Sequence, residues 1–247
     1  MRSRRVLLVE PDYRSSYPPL GLMKLATYHR SRGDEIRFVR GCNQEAADSY
    51  WDRVYVTTLF TYDWNRVSKT LRFYSDNLFG ASAGKLYIGG VAATLLPREV
   101  YRDTGVYPIQ GPLFSARQID EDNDTCIDEL VPDYSILGMV VHKYRYGAAF
   151  LARSTRGCVR ACRFCGVKHI EPNWCDYIDI KPAVSGIRDQ IGDRPQLLLL
   201  DNNVLASPRL SRITSDIIEL GFARGAKVAG RQREVDFNQG LDARVVN

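Results

Sequence analysis

Cys158, Cys162 and Cys165 stand at Cys-x3-Cys-x2-Cys spacing within one short segment, Ser154-Thr155-Arg156-Gly157-Cys158-Val159-Arg160-Ala161-Cys162-Arg163-Phe164-Cys165. Three thiolates that close in sequence can hold three corners of an iron–sulfur cluster. The fourth metal then lacks a protein ligand, and an open coordination position is where chemistry can happen. Arg153, Arg156, Arg160, Arg163 and Lys168 crowd the same stretch. Positive charge there favours the thiolate form and offsets an anionic cluster. Spacing alone leaves a second reading open. Zinc closes four ligands, and His169 or Cys175 is near enough in sequence to complete such a site. The chain would then be a non-catalytic zinc or nucleic-acid-binding protein; a third reading is an inactive remnant that binds a cluster without turning over.

The segment resembles the cluster loop of the radical S-adenosylmethionine (SAM) superfamily. The hallmark is this cysteine spacing with an aromatic residue just before the last cysteine, where Phe164 stands. Ser154-Thr155-Arg156-Gly157-Cys158 also resembles the lead-in from strand to loop common in that superfamily. The resemblance implies a [4Fe-4S] cluster on Cys158, Cys162 and Cys165, with Phe164 at the cofactor site. It also implies an enzyme whose unique iron binds the amino and carboxylate groups of SAM. Reduction would cleave SAM to a 5′-deoxyadenosyl radical.

Such a loop must be delivered by strands. Ala148 to Ala152 reads as the strand leading into it, and residues 148–247 read as a partial TIM-type (β/α) radical SAM barrel. Pro182 to Ile191 is a helix with Pro in its first turn. Gln196 to Leu200 is a buried strand. Ser207 reads as an N-cap with Pro208 at N1, before the stripe Leu210, Ile213, Ile217 and Leu220. Val235 to Asn238 is the third strand. Polar residues just past strand ends face the mouth of such a barrel. Asp201, Asn202 and Asn203 hold that place after the second strand, and Asn238, Gln239 and Arg244 after the third. The resemblance gives Asp201 the SAM ammonium, which a carboxylate suits as a charged acceptor, and the second group the ribose and carboxylate of SAM. Arg231 and Arg233 precede the third strand and read as solvated. The superfamily's barrel has more strand–helix units than are read here. The expectation is therefore a fragment, a natural truncation, or one half of a split enzyme whose partner chain completes the barrel.

Residues 1–115 read as an α/β domain with a doubly wound (Rossmann/flavodoxin-like) parallel sheet. Val6–Val9 is a short continuous apolar run, as in a strand buried on both faces. A helix with Leu22, Leu25, Ala26 and His29 on one face follows, then strands at 36–39, 54–57 and 86–88, with a helix from Trp64 to Phe79 between the last two. His29 reads as a boundary or surface histidine. Pro18-Pro19-Leu20-Gly21-Leu22, and Ile88-Gly89-Gly90 with Pro97 and Glu99, resemble the cobalamin-binding-type domain that precedes many radical SAM barrels. The Asp-x-His-x-x-Gly pattern of histidine-ligated cobalamin is missing, since this half holds only His29 and His142. Cobalamin, if bound, is held without histidine ligation.

Residues 116–147 read as a linker whose acidic run, Gln118 to Glu129, is solvated. Of the 247 residues, 45% are hydrophobic and 26% charged, ordinary for a globular protein. No run approaches the roughly 18 apolar residues of a membrane span. Val6–Val9 is too short for a signal peptide, so the expected location is the cytoplasm, where six cysteines mean metal or free thiols rather than disulfides. Cys42 and Cys126 read as incidental. The net charge is +5, and residues 151–247 carry 15 Lys and Arg against 11 Asp and Glu. Without basic runs interleaved with aromatics, this excess argues against a nucleic-acid partner and for an anionic cofactor.

Overall fold

The β1 strand (Arg5–Glu10) is the centre of the first sheet, with Val6, Leu7, Leu8 and Val9 all fully buried. A run that is apolar at every position suits a strand covered on both faces. Each such Val or Leu contributes about 1.5–3 kcal/mol relative to an exposed position. The computed structural model describes residues 3–78, 85–122, 124–237, 242 and 244. The chain divides into two compact units, 1–147 and 148–247.

In the first unit α1 (Leu20–Ser31), β2 (Glu35–Arg40), α2 (Gln44–Ala47), β3 (Arg53–Thr57), α3 (Trp64–Asn77), β4 (Leu86–Gly89), α4 (Val91–Leu95) and α5 (Pro97–Thr104) follow β1. The strands form one parallel sheet in the order β2-β1-β3-β4. One face packs Leu7, Val9, Val54, Val56 and Ile88 against Val67, Leu71 and Tyr74 of α3 and Val100 of α5. Leu22, Met23, Leu25 and Ala26 of α1 are buried as well. The strand that leads the chain lies in the interior, so β-strand order reverses beside it, the geometry of a doubly wound sheet.

Two expectations fail here, for one reason. His29 is not a surface residue. Its ring is fully buried, with Nδ1 2.7 Å from Asp34 Oδ2 and Nε2 3.0 Å from Tyr55 Oη. Nδ1–H donating to the carboxylate and Tyr55 O–H donating to Nε2 satisfy a neutral ring. Burial is the main cause that pushes His29 down to about 4, against the opposing pull of Asp34. Nor is 116–147 a free linker, since it belongs to the first unit. Asp120 is buried. Its Oδ1 accepts from Arg4 (3.0 Å) and from Arg53, and its Oδ2 from Tyr28 Oη at 2.8 Å. Lys24 holds Asp128, and Tyr144 donates to the buried Glu10 at the end of β1. In both cases a polar group is buried because its partners, at least one of them far off in sequence, are buried with it.

In the second unit come β5 (Phe150–Ala152), β6 (Thr155–Arg156), α6 (Val167–Ile170), β7 (Cys175–Asp176), α7 (Ile180–Ile191), β8 (Gln196–Leu199), α8 (Leu210–Ile217), β9 (Lys227–Val228), β10 (Arg231–Gln232) and β11 (Glu234–Phe237). The main sheet is parallel, in the order β11-β8-β5. Short hairpin-like pairs, β6 with β7 and β9 with β10, flank it. The α8 helix starts later than Ser207 and Pro208 suggest. Ser207 Oγ accepts from Arg209 N–H at 3.0 Å and its hydroxyl donates to Asp176, so it closes a turn and the helix starts at Leu210. Arg233 is not solvated. Its side chain pairs with Asp193 and lies 4.9 Å over the Phe222 ring, which shields it from solvent. No helix among the described residues is long and apolar enough to cross a membrane.

Candidate cluster-binding site

The register of β5 and β8 sets the site. Phe150 lies opposite Leu197, Leu151 opposite Leu198 and Ala152 opposite Leu199. Both strands therefore end together, and the segments that follow them leave the sheet at the same edge. Leu200 N–H closes the last rung on Ala152 O at 2.9 Å. Carboxyl ends of parallel strands are where such sheets bind ligands.

Asp201, at the end of β8, is buried and reaches across to the root of the cysteine loop. Its Oδ1 accepts from Ser154 N–H (2.9 Å), Ser154 Oγ (2.9 Å), Thr155 N–H (2.5 Å) and Thr155 Oγ1 (2.7 Å). Its Oδ2 is buried with no partner. Asn203 is equally buried. Its Nδ2 points at Cys158 Sγ from 3.7 Å, and its Oδ1 has no partner. Two orphaned acceptors at one strand end are a cost unless something donates to them. Asn202 turns the other way, with Nδ2 2.9 Å from Glu171 Oε2.

Glu171 is the residue that sequence reasoning missed. It is buried and gathers four donors: Arg153 and Arg156 (2.6 Å) on Oε1, and Gly157 N–H (2.8 Å) and Asn202 Nδ2 on Oε2. Burial opposes its charge, but Arg153, Arg156 and the Gly157 N–H outweigh it and hold the carboxyl below its ordinary range. A signal was present. Glu171 is the only acidic residue between Asp133 and Asp176, in a stretch full of arginines. Gly157 completes the packing. Its φ is +67°, and a Cβ there would stand 2.4 Å from Asn173 O, so only glycine fits. The β6–β7 pairing, Thr155 with Asp176 and Arg156 with Cys175, ties down the other side of the loop.

On this frame Cys158, Cys162 and Cys165 are each partly exposed. Cys165 N–H donates to Cys162 O at 3.1 Å, and Arg160 N–H to Cys158 Sγ at 3.4 Å. Phe164 is 93% exposed. His169 and Cys175 are exposed too. Among the described residues no group of three His, Cys, Asp or Glu is placed to hold a metal ion. A cluster makes a different demand, since its thiolates bind separate irons. The positive charge is less free than its count suggests. Arg153 and Arg156 are spent on Glu171, and Arg160 pairs with Asp242 at 2.9 Å. Arg244 is exposed and donates to the same Asp242 at 2.6 Å. Asn238 and Gln239 lie outside the described residues.

No protein-family model matches the sequence, and no curated protein matches it. Solved structures do. TsrM from Kitasatospora setae, a radical SAM methyltransferase with tryptophan substrate and a SAM analog bound, is similar with a TM-score of 0.59 at 14% identity. The match covers 88% of this chain and 51% of TsrM. TsrM with cobalamin and a [4Fe-4S] cluster bound gives 0.60. OxsB, a cobalamin-dependent SAM radical enzyme with aqua-cobalamin and SAM bound, gives 0.61 at 13% identity, over 94% of this chain and 38% of OxsB. The chain thus spans about half the length of TsrM and less of OxsB. At such identities the likeness defines the fold. It is a Rossmann-like α/β unit followed by strands of a TIM-type barrel, shared with parts of TsrM and OxsB.

Proposed function

We propose that this chain binds a [4Fe-4S] cluster through Cys158, Cys162 and Cys165, with SAM beside it, and acts in radical SAM chemistry. The observation that carries the reading is the doubly braced loop. Three partly exposed thiols sit on a segment fixed by two buried carboxylates, Asp201 and Glu171, at the carboxyl ends of parallel strands. When bound and reduced, the cluster supplies the electron that cleaves SAM. The chain's own residues do the positioning. Asp201 fixes Ser154 and Thr155, and the unpartnered Asp201 Oδ2 and Asn203 Oδ1 are acceptors suited to the SAM ammonium. Asn203 Nδ2 and Arg160 N–H direct donors at Cys158 Sγ, contacts of the kind that tune cluster potential. Arg244, Asn238, Gln239 and Phe164 complete the proposed cofactor surroundings. Anaerobic reconstitution tests this. The expected product is brown, with about four irons per chain and absorption near 400 nm. A colourless chain with one tight zinc would overturn it.

For the first unit we propose that any cobalamin is held without histidine ligation at the carboxyl ends of its strands. Both histidines of this unit support this: the His29 ring nitrogens are engaged in the core by Asp34 and Tyr55, and His142 Nε2 lies 3.3 Å from Ser15 O. Histidine-nitrogen coupling in the spectrum of a bound cob(II) form, lost on His29→Gln, would contradict it.

A further inference from the structure

Glu171 belongs to none of the motifs that suggest a cluster or SAM, yet it touches more of the site than any of them. One oxygen, Oε1, takes the guanidinium groups of Arg153 and Arg156, one at the end of β5 and one inside the cysteine loop. The other, Oε2, takes the N–H of Gly157, the residue next to Cys158, and the amide of Asn202, the residue next to Asp201. One carboxylate oxygen therefore joins the residue beside the first cysteine to the turn that follows β8. A buried carboxylate with four donors is fixed in place, because moving it leaves donors unpaired in the interior. The close approach of Gly157 to Asn173 O and Glu171 O leaves the loop no slack on that side.

We infer that Glu171 is a positioning residue that sets the placement of Cys158 relative to the Asp201–Asn203 turn, and so couples the cluster ligands to SAM binding without touching SAM. This rests on the reading of the preceding subsection. It goes further in assigning the spacing of the two half-sites to a residue outside both.

The test is Glu171→Gln in the full chain. Glutamine keeps the shape and one acceptor for the arginines, but it turns an N–H donor toward Gly157 and Asn202. Two readouts are taken. In the metal-free chain, hydrogen exchange of the Gly157 amide should accelerate about 10-fold or more, the scale of one lost hydrogen bond. In the reconstituted chain, iron content should stay near that of the parent while SAM affinity, by equilibrium dialysis, falls about 10-fold. A general structural role would not separate SAM affinity from iron content. Unchanged Gly157 exchange overturns the inference, and so does faster exchange with unaltered SAM affinity. If Glu171→Gln does not fold, Glu171→Asp, one methylene shorter, gives the same two readings. A parent chain that takes up no cluster defeats the cluster reading alone. The placement of Cys158 is then decided by the metal-free exchange together with the rate of Cys158 alkylation, which Glu171→Gln should raise relative to Cys165 and which, unchanged, overturns the inference.

Discussion

Asp120 in the first unit and Asp201 in the second are both buried, and they are used in opposite ways. Asp120 is surrounded by cations. Arg4 and Arg53 take one oxygen and Tyr28 the other, and its carboxyl is held below the ordinary range because these partners outweigh the burial that opposes them. Asp201 takes two N–H groups and two hydroxyls on a single oxygen and leaves the second without a partner. The first aspartate closes a network that joins residues 116–147 to the sheet. The second fixes a loop and keeps an acceptor in reserve. A buried acid with both oxygens engaged explains itself as architecture, whereas one with a spare buried oxygen asks for a ligand.

Substitution separates the two. Asp201→Ala leaves four donors without an acceptor. It should destabilise the second unit by about 4 kcal/mol in urea unfolding and abolish iron uptake on reconstitution. Asp120→Ala takes one carboxylate from Arg4, which keeps Asp34, and from Arg53, which keeps Tyr87, and should cost about 3 kcal/mol in the first unit, with iron uptake intact. If both variants lose iron equally, the contrast fails.

Acid sharpens it from the other direction. The folded-state pKa of His29 is lowered from 6.5 to about 4, so folding favours the neutral ring. Its stabilisation is complete above pH 6.5. It is lost as pH falls from there toward 4, by up to about 3 kcal/mol. Glu171, Asp34 and Asp120 have lowered carboxyl pKa values, so their contributions are full above the ordinary carboxylate range and are lost only as pH falls from that range through the lowered values. Burial raises the Glu10 carboxyl in the same unit and gives the opposite slope, so the His29 loss is read as the difference between the parent and His29→Gln, by melting over pH 6.5 to 4. The same pH dependence in parent and variant would remove His29 from the account.

The smallest effect is the finest. Asp201→Asn keeps an acceptor for the loop but places an N–H where Oδ2 stands. SAM affinity should weaken by about 2 kcal/mol while the cluster is retained. Loss of the cluster in this variant would mean that Asp201 acts only as a brace.

The strands were legible because an apolar run such as Val6–Val9 or Leu197–Leu199 states its own burial. The cysteine loop stood out because its three thiols are close in sequence, and they lie on one braced segment of the fold. What escaped has long-range partners. Asp120 meets Arg4 across 116 residues, and His29 meets Tyr55 across 26. An acidic run or a lone histidine looks solvated until the groups that bury it are known. Arg233 was misread for the same reason, since Asp193 and Phe222 receive it. Glu171 is intermediate. Its isolation among arginines was visible, but its link to Gly157 and Asn202 needed the fold.

The central claim is that Cys158, Cys162 and Cys165 together hold an iron–sulfur cluster and that His169 takes no part. Iron and sulfide content after anaerobic reconstitution of four single variants tests it most directly. Cys158→Ala, Cys162→Ala and Cys165→Ala should each lose the cluster and its absorption, while His169→Ala should match the parent chain. Loss of metal in the His169 variant, or full iron content in any cysteine variant, would contradict the account.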